Sequence, residues 1–171
     1  MRPSRASDRY WLDRERVRVD VDDLEELVGE AREVNSNGQG PAGGDSRGSE
    51  LLERALSLFR AEPLAGSDYA WAASEIRRLR GTHAALLELV GRTRLEAGEA
   101  RDALELAERG LRVDVLDEGL WRLALEAEGE LGLREAIEAR YRDLRELLDE
   151  RLGLEPSKET RAVYLRLLAQ S

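Results

Sequence analysis

The sequence predicts an all-α protein built from stacked helix pairs, and three observations predict it. After Asp22, apolar residues recur in every segment at steps of three and four, the period of a helix with one buried stripe. Gly98 and Gly132 are spaced by the length of a helix pair, with small residues near them at similar offsets, so a helix–turn–helix unit repeats. Only 5% of residues are aromatic and 37% are charged, a mixture that suits aliphatic stripes with solvated outer faces. The 171 residues make one domain by size, with enough chain for a substantial core.

Residues 1–9 are polar and arginine-rich. Tyr10-Trp11-Leu12 and Val17-Arg18-Val19-Asp20-Val21 are β-favouring runs, the second alternating apolar and polar, and they predict a small hairpin within residues 10–21. Two strands alone are marginal in water, so the hairpin needs a surface to cover it. Asp22 and Glu25 have the spacing of a capping box, and Leu24, Leu27, Val28, Ala31 and Val34 then line one helical face. Residues 35–48 hold five glycines, two serines, two asparagines and a proline, the composition of a flexible loop. Ser49 is placed to cap the next helix, whose stripe is Leu52, Ala55, Leu56 and Phe59, and residues 63–68 read as a turn.

From Trp71 the stripe lengthens through Ala72, Ile76, Leu79, His83, Leu86, Val90, Thr93 and Ala97. It predicts one helix, or two nearly collinear ones broken at Gly81, ended by Gly98. Helices follow over 99–112, 118–131, 134–152 and 158–169, with Gly153 as a C-cap and Pro156-Ser157 as a helix start. The Gly98–Gly132 spacing equals the period of tetratricopeptide helix pairs, so the stack reads as tetratricopeptide-like. Aligned on Gly98, Gly91 takes the place where helices cross and Ala103 a small position early in the second helix. One period on, Trp121 is the bulky opening residue of the next first helix. Ala136 comes one residue early after Gly132, which predicts a second unit shortened by one residue. Repeats of this kind argue against a compact enzyme pocket.

A set of patches in this order resembles a known family. It comprises Trp71 with Glu75 and Leu79, the turn Leu95-Glu96-Ala97-Gly98, and Asp117-Glu118-Gly119-Leu120-Trp121. Ala136, Tyr141 and Leu144-Arg145 follow, and the closing run from Glu150 to Arg161, through Gly153, Pro156 and Thr160, is the most specific part. With Val19-Asp20-Val21-Asp22 and Leu24-Glu25 at the opening, these patches resemble the bacterial transcriptional activator domain of SARP-type regulators over residues 17–169. Val115 stands where the family usually has proline, and residues 35–48 look like an insertion. The resemblance implies two parts: a tail and hairpin at 1–21, similar to the remnant of a winged-helix domain, and a helical activator domain at 22–171.

Charge and composition limit the chemistry. A net charge of −9 opposes autonomous binding to a polyanion, although Arg2, Arg5, Arg9, Arg14, Arg16 and Arg18 crowd the start of the chain. There is no cysteine, hence no disulfide, thiolate nucleophile or cysteine metal site. No apolar run approaches the roughly 20 residues needed to span a bilayer, and the N-terminus lacks the apolar core of a secretory signal. The expected location is the cytoplasm. Gly38-Gln39-Gly40-Pro41-Ala42-Gly43 spells a dinucleotide fingerprint, yet no strand precedes it and no helix opens directly after it, so it reads as linker. His83, the only histidine, sits on a helical stripe without a nucleophile elbow and reads as a packing residue. Glu105, Glu108, Glu146, Asp149 and Glu150 alternate with arginine on outer helix faces, and Arg77-Arg78-Leu79-Arg80 reads as a solvated face. Trp71 and Trp121 read as packing between helices.

These readings predict no catalytic, metal or cofactor site and no enzyme activity. The resemblance implies the effector half of a transcriptional regulator, working through protein contacts without DNA readout of its own. Its partner would be the transcription machinery, a DNA-binding domain or a second copy in a homodimer. Tyr10, Trp11 and Leu12 are the predicted docking edge, because an isolated hairpin exposes them. The alternative is a generic tetratricopeptide scaffold or adaptor unrelated to transcription, since any stacked array offers a groove for peptides.

Overall fold

The computed structural model describes residues 23–24, 26–30, 46–59 and 72–170, and every regular element among them is helical. Helix α1 comprises residues 23–24 and 26–30. It is followed by α2 (Ser46–Ser57), α3 (Ala72–Glu96), α4 (Ala100–Val113), α5 (Glu118–Glu130), α6 (Arg134–Leu152) and α7 (Lys158–Gln170). The hairpin at 10–21 with Tyr10, Trp11 and Leu12, the Asp22–Glu25 box, Ala31, Val34, residues 35–45 with the glycine motif, the turn at 63–68 and Trp71 lie outside the described residues.

The helical repeat is stricter than the sequence suggests. Gly98 and Gly132 both adopt left-handed backbone, at φ +80° and +69°, which a side chain would strain. At the first turn, the Glu99 amide donates to the Arg94 carbonyl at 2.9 Å and the Gly98 amide to Leu95 at 3.0 Å. At the second, Leu133 donates to Glu128 at 2.9 Å and Gly132 to Gly129 at 3.0 Å, so both turns form the same Schellman closure. The helices that follow open at Ala100 and Arg134, each two positions after its glycine. The predicted one-residue shortening is therefore absent. The counterpart of Ala103 is Ile137, fully buried, whereas Ala136 is only partly so. Residue size suggested the shorter register, and the backbone keeps the longer one.

Two further boundaries differ from expectation. α2 opens at Ser46, so residues 46–48 of the predicted loop are helical and Ser49 lies inside the helix rather than capping it. Gly48 is buried one turn before Leu51 and Leu52, and packing that face overrides the weak helical propensity of Ser-Arg-Gly-Ser. α3 also runs unbroken through Gly81, which is exposed. A helical glycine costs only about 1 kcal/mol, and the turns on either side bury Leu79, Ala84, Leu86 and Leu87.

The core threads the stack. Leu24 of α1 and Leu51, Leu52, Ala55 and Leu56 of α2 pack with Ala84, Leu87 and Val90 of α3. Ala103 and Ala107 of α4 meet Leu123, Ala124 and Ala127 of α5. A Cβ on Gly91 would run into Leu123, so the close crossing there is between α3 and α5. Trp121 packs on Leu144 and Leu148 of α6, while Leu125, Ile137 and Leu167 join α5, α6 and α7. Trp121 is 8% exposed, and its indole N–H donates to the Val115 carbonyl at 2.8 Å, as suits a packing residue.

Candidate functional site

The polar groups singled out from sequence do not converge. His83 stacks on Phe59, with ring centroids 4.2 Å apart and planes within 3°, and its Nε2 is buried without a hydrogen-bond partner. Burial, helped by the Arg109 charge, holds its pKa below the ordinary imidazole value. Arg77, Arg78 and Arg80 are exposed, and the Arg78 guanidinium grips Glu75 at 2.6 Å. Glu105, Glu108, Glu146, Asp149 and Glu150 face solvent on three-turn or longer helices. Among the described residues no group of three or more acidic or histidine side chains is placed to hold a metal ion.

Side chains from different helices do meet, and three of these meeting places border a groove or lock a helix in position. The first is a charged ladder across α3, α5 and α7. Glu126 on α5 accepts from Arg92 of α3 at 2.9 Å and from Arg166 of α7 at 2.6 Å, and Arg92 also reaches Glu88 at 3.2 Å. Burial disfavours the Arg92 charge, but its bonds to Glu126 and Glu88 outweigh that and raise its pKa. Arg92, Glu126 and Arg166, with Glu130 and Leu167, line a groove of about 360 Å³.

The second is a clasp between the first turns of α5 and α7. Glu118 accepts from the Ser157 amide at 2.9 Å and from its hydroxyl at 2.8 Å. An ionised carboxylate only accepts, so Ser157 donates to it and the Thr160 hydroxyl, 2.9 Å away, donates to Ser157. The Ser157 Oγ also caps the helix by accepting the Thr160 amide, and Arg122 donates to the Thr160 hydroxyl at 3.1 Å. Burial opposes the charge on Glu118, but Thr160, Ser157 and Arg122 together hold its pKa below the usual value. Thr160 is fully buried, so the closing run that carries the resemblance is the element that locks α7 onto α5.

The third is a cleft of about 440 Å³ between α6 and α7. Tyr141 and Tyr164 stack in it with centroids 3.9 Å apart and planes within 2°. Arg145, paired to Glu155 at 3.2 Å, borders it with Pro156, Arg161 and Leu165. Leu165 is 53% exposed, and Arg161 pairs with no carboxylate among the described residues. Burial is the main reason that the Tyr141 phenol titrates above its ordinary value. In the sequence, Tyr141 and Arg161 carry no local mark of a shared surface. The signal was the repeat itself, because Tyr141 stands one full period after the buried Ala107.

A comparison with curated proteins finds no match. The sequence pattern of the bacterial transcriptional activator domain matches residues 19–168, a span that takes in the described part of every helix but the last two residues of α7. The chain belongs to the bacterial transcriptional activator domain family.

Proposed function

We propose that this chain is the protein-interaction and effector module of a SARP-like transcriptional regulator, acting in the cytoplasm through protein contacts. Its family is one of transcription-related regulatory domains and not an enzyme family. Among the described residues no helix is long and apolar enough to cross a membrane. The observation that carries the reading is the activator-domain match across residues 19–168 on a stack of helix pairs. Charge supports contact with protein rather than DNA. The chain carries −9 overall, and Arg92, Arg94, Arg140, Arg145 and Arg166 are each already paired with a carboxylate. Phosphate binding needs free cationic contacts, one for each charge neutralised. The partners proposed are the transcription machinery, a DNA-binding domain or a second copy, with Tyr10, Trp11 and Leu12 as a docking edge.

The test is tethered activation. The whole chain is fused to a heterologous DNA-binding domain, and a promoter bearing that domain's operator drives a reporter in a bacterial host. Reporter output well above that of the DNA-binding domain alone is expected. Output equal to that control would remove the transcriptional reading and favour a generic scaffold. A gel shift with the unfused chain should show no sequence-selective complex at physiological salt.

A further inference from the structure

The two helix pairs share a register but not a seam. In the first pair the residues of α4 that face α5 are small: Ala103, Ala107 and Gly110 are buried, and Cβ on Gly110 would collide with Leu120. That allows α5 to lie close along α4. One period later the same positions of α6 carry Ile137, Tyr141 and Leu144. Larger side chains prevent the same close approach, and α7 accordingly rests chiefly on α5 and touches α6 little. Tyr141 in the place of Ala107, and an α6 of 19 residues where α4 has 14, set the cleft between α6 and α7 apart from the first seam.

We propose that this cleft is a docking site for a peptide segment of a protein partner that presents an acidic side chain beside an apolar one. The proposal rests on the interaction-module reading and names the chemistry of the partner. The stacked Tyr141 and Tyr164 with Pro156 form a flat apolar floor, and the half-exposed Leu165 extends it. Stacked aromatics of this kind anchor apolar side chains at little entropic cost, because each has few rotatable bonds. The rim has two arginines and one glutamate, so it is net positive on a strongly acidic protein. Arg145 is occupied by Glu155, which leaves the Arg161 guanidinium to receive an incoming carboxylate. A basic segment would find a competing cation there, and the one carboxylate on the rim is already paired.

The probe is a short dye-labelled synthetic peptide of alternating aspartate and leucine with one central phenylalanine, titrated into the full chain and followed by fluorescence anisotropy. Saturable binding is expected, weakened roughly tenfold or more by Arg161→Glu, the usual range for losing a hydrogen bond to a charged group. Leu165→Ser should weaken it as well, and an analogue with asparagine for aspartate should bind less tightly to the wild type. Both substituted residues are exposed, so thermal melts matching the wild type confirm intact folding. The proposal is overturned by absence of binding, by equal binding to Arg161→Glu, or by an asparagine analogue that binds as well. Displacement of the peptide by a single-stranded oligonucleotide, lost in Arg161→Glu, would likewise overturn it in favour of nucleic acid. Failure of the two readings is separable. Tethered activation without peptide binding removes the cleft and leaves the function, whereas peptide binding without tethered activation does the reverse.

Discussion

Arg140→Met should cost the domain far more than any surface arginine, and the reason is the carboxylate it would abandon. Arg140 on α6 places Nε at 2.8 Å and Nη2 at 2.7 Å from the same oxygen of Glu128 on α5, with Glu108 of α4 at 3.3 Å. Glu128 is only 3% exposed, and its other oxygen has no hydrogen-bond partner. Burial disfavours the Arg140 charge, yet the pairing with Glu128 and then Glu108 prevails and raises its pKa. Methionine retains most of the apolar stem, so the loss is chiefly electrostatic. Leaving a buried charge unpaired costs about 3–5 kcal/mol, and at roughly 2–4 °C per kcal/mol for a chain of this size Tm should fall by about 6–20 °C. Urea denaturation at neutral pH measures it. The double variant Glu128→Met/Arg140→Met should recover wild-type stability or exceed it, because removing both charges removes the desolvation cost. A single variant losing under about 1 kcal/mol, or a double variant as unstable as the single one, would refute the reasoning.

Trp121→Ala should destabilise by about 3–5 kcal/mol, the range for emptying a large aromatic site, and a calorimetric melt unchanged from wild type would instead make Trp121 a partner contact. Gly98→Ala and Gly132→Ala should each cost about 1–2 kcal/mol, since both force alanine into left-handed backbone. Because the two turns close with the same hydrogen bonds, their measured losses should agree, and a large difference between them in urea melts would mean the turns are not equivalent. His83 supplies a pH dependence. Its pKa is depressed in the fold, so as pH drops through about 6.5 the unfolded chain takes the proton first and stability falls, levelling once the lower folded pKa is passed. Melts of wild type and His83→Gln at pH 7.5 and 5.5, values that bracket the histidine titration by about a unit each way, should show that loss only in the wild type.

The helices, their order and most of their ends were legible because apolar stripes and left-handed glycines are local signals. Gly98, Gly132 and Gly153 each end a helix with positive φ, and each marks its turn in the sequence. Ser46 was hidden because the start of α2 is set by burial of Gly48, a tertiary effect with no local mark. The candidate surfaces were less legible still. Arg92, Glu126 and Arg166 are far apart in sequence, and an i,i+4 reading of helix faces finds Glu88–Arg92 but cannot pair α3 with α5 or α7. Likewise nothing near Ser157 announces that its hydroxyl is bound to Glu118, on a helix two elements earlier.

The register of the second unit decides which side chains meet at its seam. Matching alanine to alanine sets Ala136 against Ala103 and makes the second unit look short by one residue. The repeated backbone hydrogen bonds set Ile137 there instead, since the Ala103 and Ile137 amides donate to Glu99 and Leu133 at 3.0 and 3.1 Å. In that register Tyr141 falls on Ala107, so Ile137 and Tyr141, the α6 residues packed with α7, are each larger than their counterparts Ala103 and Ala107. A closed seam and an open one then follow from larger side chains on α6 together with its greater length, 19 residues against 14 in α4. The closed seam has its small residues filled by Leu120 and Leu123 and offers nothing to a partner. The open seam is held in place from the far side, where Glu118 accepts from Ser157, Thr160 donates to Ser157, and Leu167 packs on α5. α7 can therefore stand off α6 without coming loose, which keeps the Tyr141–Tyr164 cleft preorganised for what docks there.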